Sequence, residues 1–491
     1  MSDSNVTGKS LGGGAWLGLA KLWFLVAGYG LNVALTHLIA EDTFGQYQTV
    51  ARAVAVPNMV IIYTVMFAIS RPLSAEFDDG VPNFTAIRRH GLRLAIVLGL
   101  VASGTVFLAA PALAGWWNDE ALVTPLYVVA PISLVYALYA VNVGTLNALR
   151  RFSRQAALDI TMATLKTGFM AAAAAVALGL TWIVAGFTAA AVCSLLLSVV
   201  LVARSRPDAK PSTGVPSMAR FAAALIVFTA VLNLLQSADL MILSSYSDTE
   251  VLKKQTGYYS SAQLVAWVPY SLMNAVVLVA FPFVASFVGS GVSQQTRTYV
   301  GSVATTTLSL LALMSAVAAA AAAEVQSLLF PQAYSVAAVH LQLLVFGYSG
   351  YSFANTVAWM CNSAGRNRIA LIIVSVPLSL AVPLALALCP EHHAGGAAIA
   401  VAIAGAGATA AGFVGLRLVF GVTPPWLHLL KLGAAAGLVF LVGTFVDVPT
   451  GGLTGKLMIV GKLGLLAATF VAVALATRAV TVAQIPGLRR R

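Results

Sequence analysis

The chain has 491 residues, 59% of them hydrophobic and only 9% charged, with a mean hydropathy of +0.90. Soluble proteins carry roughly 25% charged residues, so this composition excludes a soluble enzyme, a disordered chain and a coiled coil. A net charge of +12 could suggest nucleic acid binding, but in a membrane chain it is better explained by basic cytoplasmic loops.

A spanning helix needs about 20 mostly apolar residues. Fourteen segments meet that need: 13–39, 47–70, 92–114, 122–147, 158–180, 182–203, 221–245, 259–287, 299–323, 335–361, 369–389, 395–419, 427–447 and 456–477. Strands of a transmembrane barrel would alternate over about ten residues, and 92–114 shows no alternation. The first segment has no short h-region and no clear cleavage site, so a retained helix is expected rather than a signal peptide. Connections are short, so no soluble domain is expected to hang from the bundle.

The expected class is an all-α polytopic membrane protein. Cys193, Cys361 and Cys389 sit in apolar surroundings and form neither a zinc spacing nor an even-numbered disulfide framework. Gly8-Lys9-Ser10 lacks the upstream glycine of a phosphate loop, because Asp3 stands there. No cofactor and no metal site is expected.

Charge sorts along the chain. With a cytoplasmic N-terminus, the even-numbered connections hold Arg71, Arg88, Arg89, Arg93, Arg150, Arg151, Arg154, Arg204, Arg206, Lys210, Arg220, Arg297, Arg366, Arg368 and Arg417, and the tail ends in three arginines. The odd connections hold Glu41, Asp42, Asp119, Glu120 and Glu391, with Lys253, Lys254 and Lys456 as their clear cations. Cations concentrate on the cytoplasmic side of membrane proteins, so both termini are expected there.

The second and eighth predicted helices begin alike. Phe44-Gly45-Gln46-Tyr47 leads to Pro57, and Thr256-Gly257-Tyr258-Tyr259 leads to Pro269, an offset of 212 residues. Asn147-Ala148-Leu149-Arg150-Arg151 likewise echoes Asn362-Ser363-Ala364-Gly365-Arg366 at an offset of 215. Two echoes at nearly one offset imply two six-helix lobes in the same orientation, followed by a C-terminal helix pair. The expected layout is a cytoplasmic N-terminus at 1–12, a first lobe at 13–203, a linker at 204–220, a second lobe at 221–419, and helices thirteen and fourteen with a basic tail at 420–491. Parallel repeats of this kind carry a substrate site between the halves in many transporters.

Several strings carry a family resemblance: Leu38-Ile39-Ala40-Glu41-Asp42-Thr43-Phe44-Gly45-Gln46-Tyr47, Leu146-Asn147-Ala148-Leu149-Arg150-Arg151-Phe152, Ala238-Asp239-Leu240-Met241-Ile242-Leu243, Gly257-Tyr258-Tyr259, Leu329-Phe330-Pro331-Gln332-Ala333-Tyr334 and Ser363-Ala364-Gly365-Arg366. In this order they resemble the polysaccharide transporter, or O-unit flippase (Wzx-like), branch of the multidrug/oligosaccharidyl-lipid/polysaccharide (MOP) exporter superfamily. The resemblance implies a V-shaped, MATE-like pair of lobes. It implies a cargo of short oligosaccharide on a polyprenyl diphosphate lipid, turned from the inner to the outer leaflet of a bacterial inner membrane. It also implies membrane lipid and other polysaccharide assembly proteins as partners, with no nucleic acid, and a monomeric transporter rather than an enzyme.

A lipid diphosphate needs cations, and its sugars need amides or aromatic faces. Intramembrane charge is costly and marks candidates. Lys21 shares a helix face with Gly14, Gly18, Gly28 and Asn32, which suits either a cavity wall or a snorkelling lysine. Arg52 could grip phosphate bidentately or snorkel outward. Lys166 lies two turns beyond Asp159 on one face, about 10 Å away, and is open to a cavity or a structural role.

For sugars, one stripe carries Gln263, Trp267, Tyr270 and Asn274, and another carries Tyr348, Ser352, Asn355, Trp359 and Asn362. The alternative for both is polar glue between helices with interfacial aromatics. Asp239 could bind a proton or a sodium ion for coupling, or face water at the outer end. Competing functions are a cation-coupled small-molecule or drug antiporter and a lipid II flippase. From a different class comes an integral-membrane glycosyltransferase or polymerase, against which the short loops argue.

Overall fold

The structure, a computed structural model, describes residues 3–78, 84–204, 219–288 and 293–479. All of its regular elements are helical among the described residues, and contacts divide them into two compact units. The first unit, Met1–Ser237 with Ser247–Lys254, holds α1 (Asp3–Leu38), α2 (Glu41–Asp78), α3 (Phe84–Trp116), α4 (Val123–Val129), α5 (Ile132–Ala148), α6 (Phe152–Ala175), α7 (Leu180–Ala203) and α8 (Ala219–Leu235). The second unit, Ala238–Tyr246 with Gln255–Arg491, holds α9 (Ala238–Ser245), most of α10 (Glu250–Val288), α11 (Gln294–Ala320), α12 (Ala322–Leu329), α13 (Ala338–Ser363), α14 (Asn367–Phe420), α15 (Trp426–Phe445) and α16 (Gly452–Ala476). By packing, the first unit runs one helix past the expected lobe boundary, because α8 lies along α2.

Among the described residues, eight helices are long and apolar enough to cross a bilayer, or nine if the bent pair Leu225–Leu235 and Ala238–Ser245 is one crossing. The fourteen expected crossings exceed this tally. One reason is visible in α14, which counts once although His393 (φ 45°, ψ −123°) breaks it into two helices. Large apolar side chains point outward, among them Leu108 at 81% and Leu418 at 68% exposure. Such surface is unfavourable in water and neutral in hydrocarbon, where helices satisfy their own backbone groups. The chain is an all-α polytopic membrane protein.

One of the two sequence echoes corresponds to matching local structure. At the end of α5, Arg151 N–H bonds Leu146 O at 2.9 Å and Arg150 N–H bonds Asn147 O at 2.9 Å. At the end of α13, Arg366 N–H bonds Cys361 O at 2.9 Å and Gly365 N–H bonds Asn362 O at 3.0 Å. Both turns pass through the left-handed region, at Arg150 (φ 53°) and Gly365 (φ 74°). This is a helix-ending motif that returns two N–H groups to orphan carbonyls. At the other echo the contacts differ in kind: Gln46 of α2 donates to Asp119 at 2.7 Å, and Tyr258 of α10 meets the Tyr334 ring edge-on at 5.2 Å. Asp119 precedes the short 3-10 turn Glu120–Leu122, and Tyr334 lies within the 3-10 turn Gln332–Ala337.

Within the second unit, α13 and α14 approach to backbone contact. A Cβ at Gly350 would fall onto the Gly405 carbonyl, and one at Gly347 would meet Val401 O at 2.6 Å. Small residues allow this approach where no hydrophobic force drives helices together. Further along, Lys462 of α16 pairs with Glu324 of α12, with side-chain exposures of 2% and 13%. This ion pair fixes the last helix to its unit, and it gives Glu324 the partner that sequence alone did not show.

Candidate functional site

The second unit contains a buried polar cluster centred on Asp239. The chain breaks after Leu235, and α9 begins at Ala238, which puts Asp239 in its first turn. An acid there is favoured by the helix dipole. Tyr259 and Gln263 stand one turn apart on α10 and present to the same side. Three donors reach one oxygen, Asp239 Oδ2: Tyr259 Oη at 2.6 Å, Tyr348 Oη of α13 at 2.8 Å and Gln263 Nε2 at 2.9 Å. Gln263 Nε2 also lies 2.6 Å from Tyr348 Oη.

Asp239 is 2% exposed, and Gln263, Tyr259 and Tyr348 are fully buried. The other carboxyl oxygen, Oδ1, is buried with no hydrogen-bond partner among the described residues. No lysine or arginine forms an ion pair with it among the described residues. A buried carboxylate without a cation is costly. Of the two readings open for Asp239, the water-facing one does not hold.

The expected sugar stripes divide. Gln263 and Tyr348 are drawn into the Asp239 cluster. Trp267 lies beside them, its ring edge-on to Tyr348 at 5.8 Å and tilted against Tyr270 at 6.0 Å. Asn355 is buried and Trp359 half-buried on α13, two and three turns beyond Tyr348. Asn274 has its side chain outside the described residues.

In the first unit, the side chain of Lys21 also lies outside the described residues. Asn32, on the face assigned to Lys21, accepts from Gln48 Nε2 of α2 at 2.7 Å. Arg52 is half-buried on α2. Lys166 places its ammonium 4.3 Å from the centroid of the Phe187 ring on α7. A ring face at that distance is a favourable neighbour for a partly desolvated cation. Asp119 receives Lys253 at 2.9 Å as well as Gln46, and caps the following turn through Ala121 N–H at 3.3 Å.

Sequence reading missed Tyr259 as a site residue, although the repeat had singled out Gly257-Tyr258-Tyr259. The available signal was its four-residue spacing from Gln263. It also left Lys462 unmentioned, because one lysine in an apolar run gives no hint of its partner 138 positions earlier.

Comparisons with known proteins agree with this architecture. A structure of the lipid II flippase MurJ, in an inward closed conformation, is similar with a TM-score of 0.74 at 13% identity, covering 94% of this chain and 98% of that one. An inward-facing MATE-family multidrug resistance transporter of the MOP superfamily is similar with a TM-score of 0.60 at 17% identity, covering 81% and 94%. A MOP superfamily transporter from Pyrococcus furiosus reaches 0.58 at 13% identity, covering 83% and 95%. The fold is that of the MOP-superfamily transporters. Residues 92–339, just over half of the chain, match the family model described as polysaccharide biosynthesis protein. The chain belongs to that family. No curated protein sequence matches it significantly.

Proposed function

We propose that the protein is a flippase that moves polyprenyl-diphosphate-linked oligosaccharide repeat units from the cytoplasmic to the outer leaflet, for surface polysaccharides such as O-antigen. The observation that carries this reading is the joining of a polysaccharide biosynthesis family match to a MOP transporter fold. The movement proceeds by alternating access through a bundle of fourteen crossings, counting α14 as two and the shorter helices as parts of spans. Both termini lie in the cytoplasm of a bacterial inner membrane, as the distribution of arginines suggests.

In this reading Lys21, Arg52 and Lys166 attract the diphosphate. Tyr270, Asn274, Asn355 and Trp359 are the sugar-facing candidates, and Trp267 joins them from the edge of the Asp239 cluster. Asp239 is the coupling candidate, because its buried oxygen Oδ1 has no hydrogen-bond partner among the described residues, and an ion bound there in one conformation only would turn a gradient into conformational bias. The similarity to MurJ supports a second reading, with lipid II as the cargo. The diphosphate chemistry is shared, so the glycan decides between the two.

The test is deletion in the source organism followed by analysis of lipid-linked intermediates. Oligosaccharide lipid accumulating in the inner leaflet, with loss of surface polysaccharide, is the expected result. Accumulated lipid II selects the second reading. Normal glycans with altered drug tolerance overturn both in favour of a small-molecule antiporter.

A further inference from the structure

The second unit has a concavity of about 370 Å3 at one end of its last two helices, lined by Pro425, Trp426, Leu427, His428, Lys431 and Arg478. Its charge is of one sign. No acidic residue occurs between Phe420 and Lys431, nor from Ala476 to Arg491. The rim is apolar and outward-facing, with Trp426, Leu427 and Leu430 at 68%, 67% and 72% exposure. The α15 N-terminus lies here behind Pro425, its first N–H taken by Pro424 O at 3.0 Å, and the helix dipole adds positive potential on the same side as Lys431. His428 is fixed from below, its Nε2 3.1 Å from Ser309 Oγ of α11.

Arg478 supplies the second cation of the lining. It ends α16 in the left-handed region (φ 53°), and Ala479 N–H closes the turn on Ala474 O at 2.8 Å. Glycine suits that backbone, and an arginine there is strained. The turn leaves Arg478 exposed at the wall of the concavity.

We propose that this concavity binds the phosphate head group of an anionic membrane phospholipid. Lys431 and Arg478 hold the phosphate, and Trp426 and Leu427 lie along the glycerol and upper acyl chain. Basic pockets between spanning helices are suited to such head groups. The bound lipid is a resident of the bilayer and not the transported cargo, so this site stands apart from the flippase reading.

The test uses the purified full-length protein in detergent, with lipid adducts counted by native mass spectrometry. Phosphatidylglycerol, phosphatidylcholine, inorganic phosphate and undecaprenyl diphosphate are titrated separately. Phosphatidylglycerol is expected to bind well above phosphatidylcholine. Lys431→Gln and Arg478→Gly should each weaken it about fivefold, and Lys431→Arg should keep it. Arg478→Gly also relieves backbone strain, so that variant should be at least as thermostable in detergent while binding less lipid. Unchanged phosphatidylglycerol binding in both variants overturns the proposal, as does equal binding of phosphatidylcholine. Loss confined to undecaprenyl diphosphate or to inorganic phosphate also overturns it, by assigning the site to cargo or to free anion.

Discussion

Tyr259 donates its hydroxyl to Asp239 at 2.6 Å, across the step from α9 to α10. That bond, with those from Gln263 and Tyr348, satisfies one carboxyl oxygen and leaves the other bare. Asp239→Asn keeps an oxygen for the three donors but cannot take up or release a proton and carries no charge for a cation. Its stability should stay within about 1 kcal/mol of the parent. Transport by reconstituted protein should lose its dependence on an ion gradient. Asp239→Leu strands three buried donors and should cost about 3 kcal/mol or more. Gradient-dependent transport that survives in the asparagine variant removes Asp239 from the coupling scheme.

Arg150 and Gly365 occupy equivalent positions in two copies of one turn, and only one of them is glycine. Arg150→Gly should stabilise the protein by about 1 kcal/mol, while Gly365→Ala should destabilise it by a similar amount. Thermal unfolding in detergent measures both. Opposite signs are the key expectation. A loss of stability in Arg150→Gly would mean that the arginine side chain contributes more than its backbone strain costs.

Those two positions also show what the sequence could reveal. The repeat was legible because a helix-ending turn needs fixed residues at fixed spacing, so Asn147 to Arg151 and Asn362 to Arg366 survive as strings. Long apolar runs made the helical membrane class legible for the same reason. Partners across helices were not legible. Gln263 and Tyr348 read as a sugar stripe because amides and phenols serve hydroxyls and carboxylates alike, and only the fold brings Asp239 between them. The helix count was blurred where backbone breaks lie inside apolar runs, as at His393 and after Leu235.

The Glu324–Lys462 pair gives a prediction about α16. Removing one partner leaves a charge buried without compensation, which typically costs 3–5 kcal/mol, whereas replacing both with apolar residues is often neutral or better. Lys462→Met should therefore lower the unfolding midpoint sharply and loosen α16. Glu324→Leu combined with Lys462→Met should recover most of the loss. Proteolysis and thermal unfolding of the three proteins would show it. If the double variant is as unstable as the single one, the pair contributes specific geometry that packing cannot replace.

The last prediction concerns Lys166, whose ammonium lies over the Phe187 ring. A cation–π contact contributes about 0.5–2 kcal/mol, rising with desolvation. Two substitutions separate charge from packing. Lys166→Met keeps the length and apolar stem but removes the charge. Phe187→Leu keeps the charge and removes the ring. If Lys166 attracts the lipid diphosphate, Lys166→Met should lower affinity for a polyprenyl diphosphate about tenfold or more, in line with the loss of one charge-assisted contact. Phe187→Leu should lower it only a few fold, because the lysine persists but is less well placed. Both variants should fold, since the contact contributes little to total stability. If instead Lys166→Met binds and flips the lipid normally while Phe187→Leu lowers the unfolding midpoint, the pair is a packing contact between α6 and α7. The diphosphate role then rests on Arg52 and Lys21 alone.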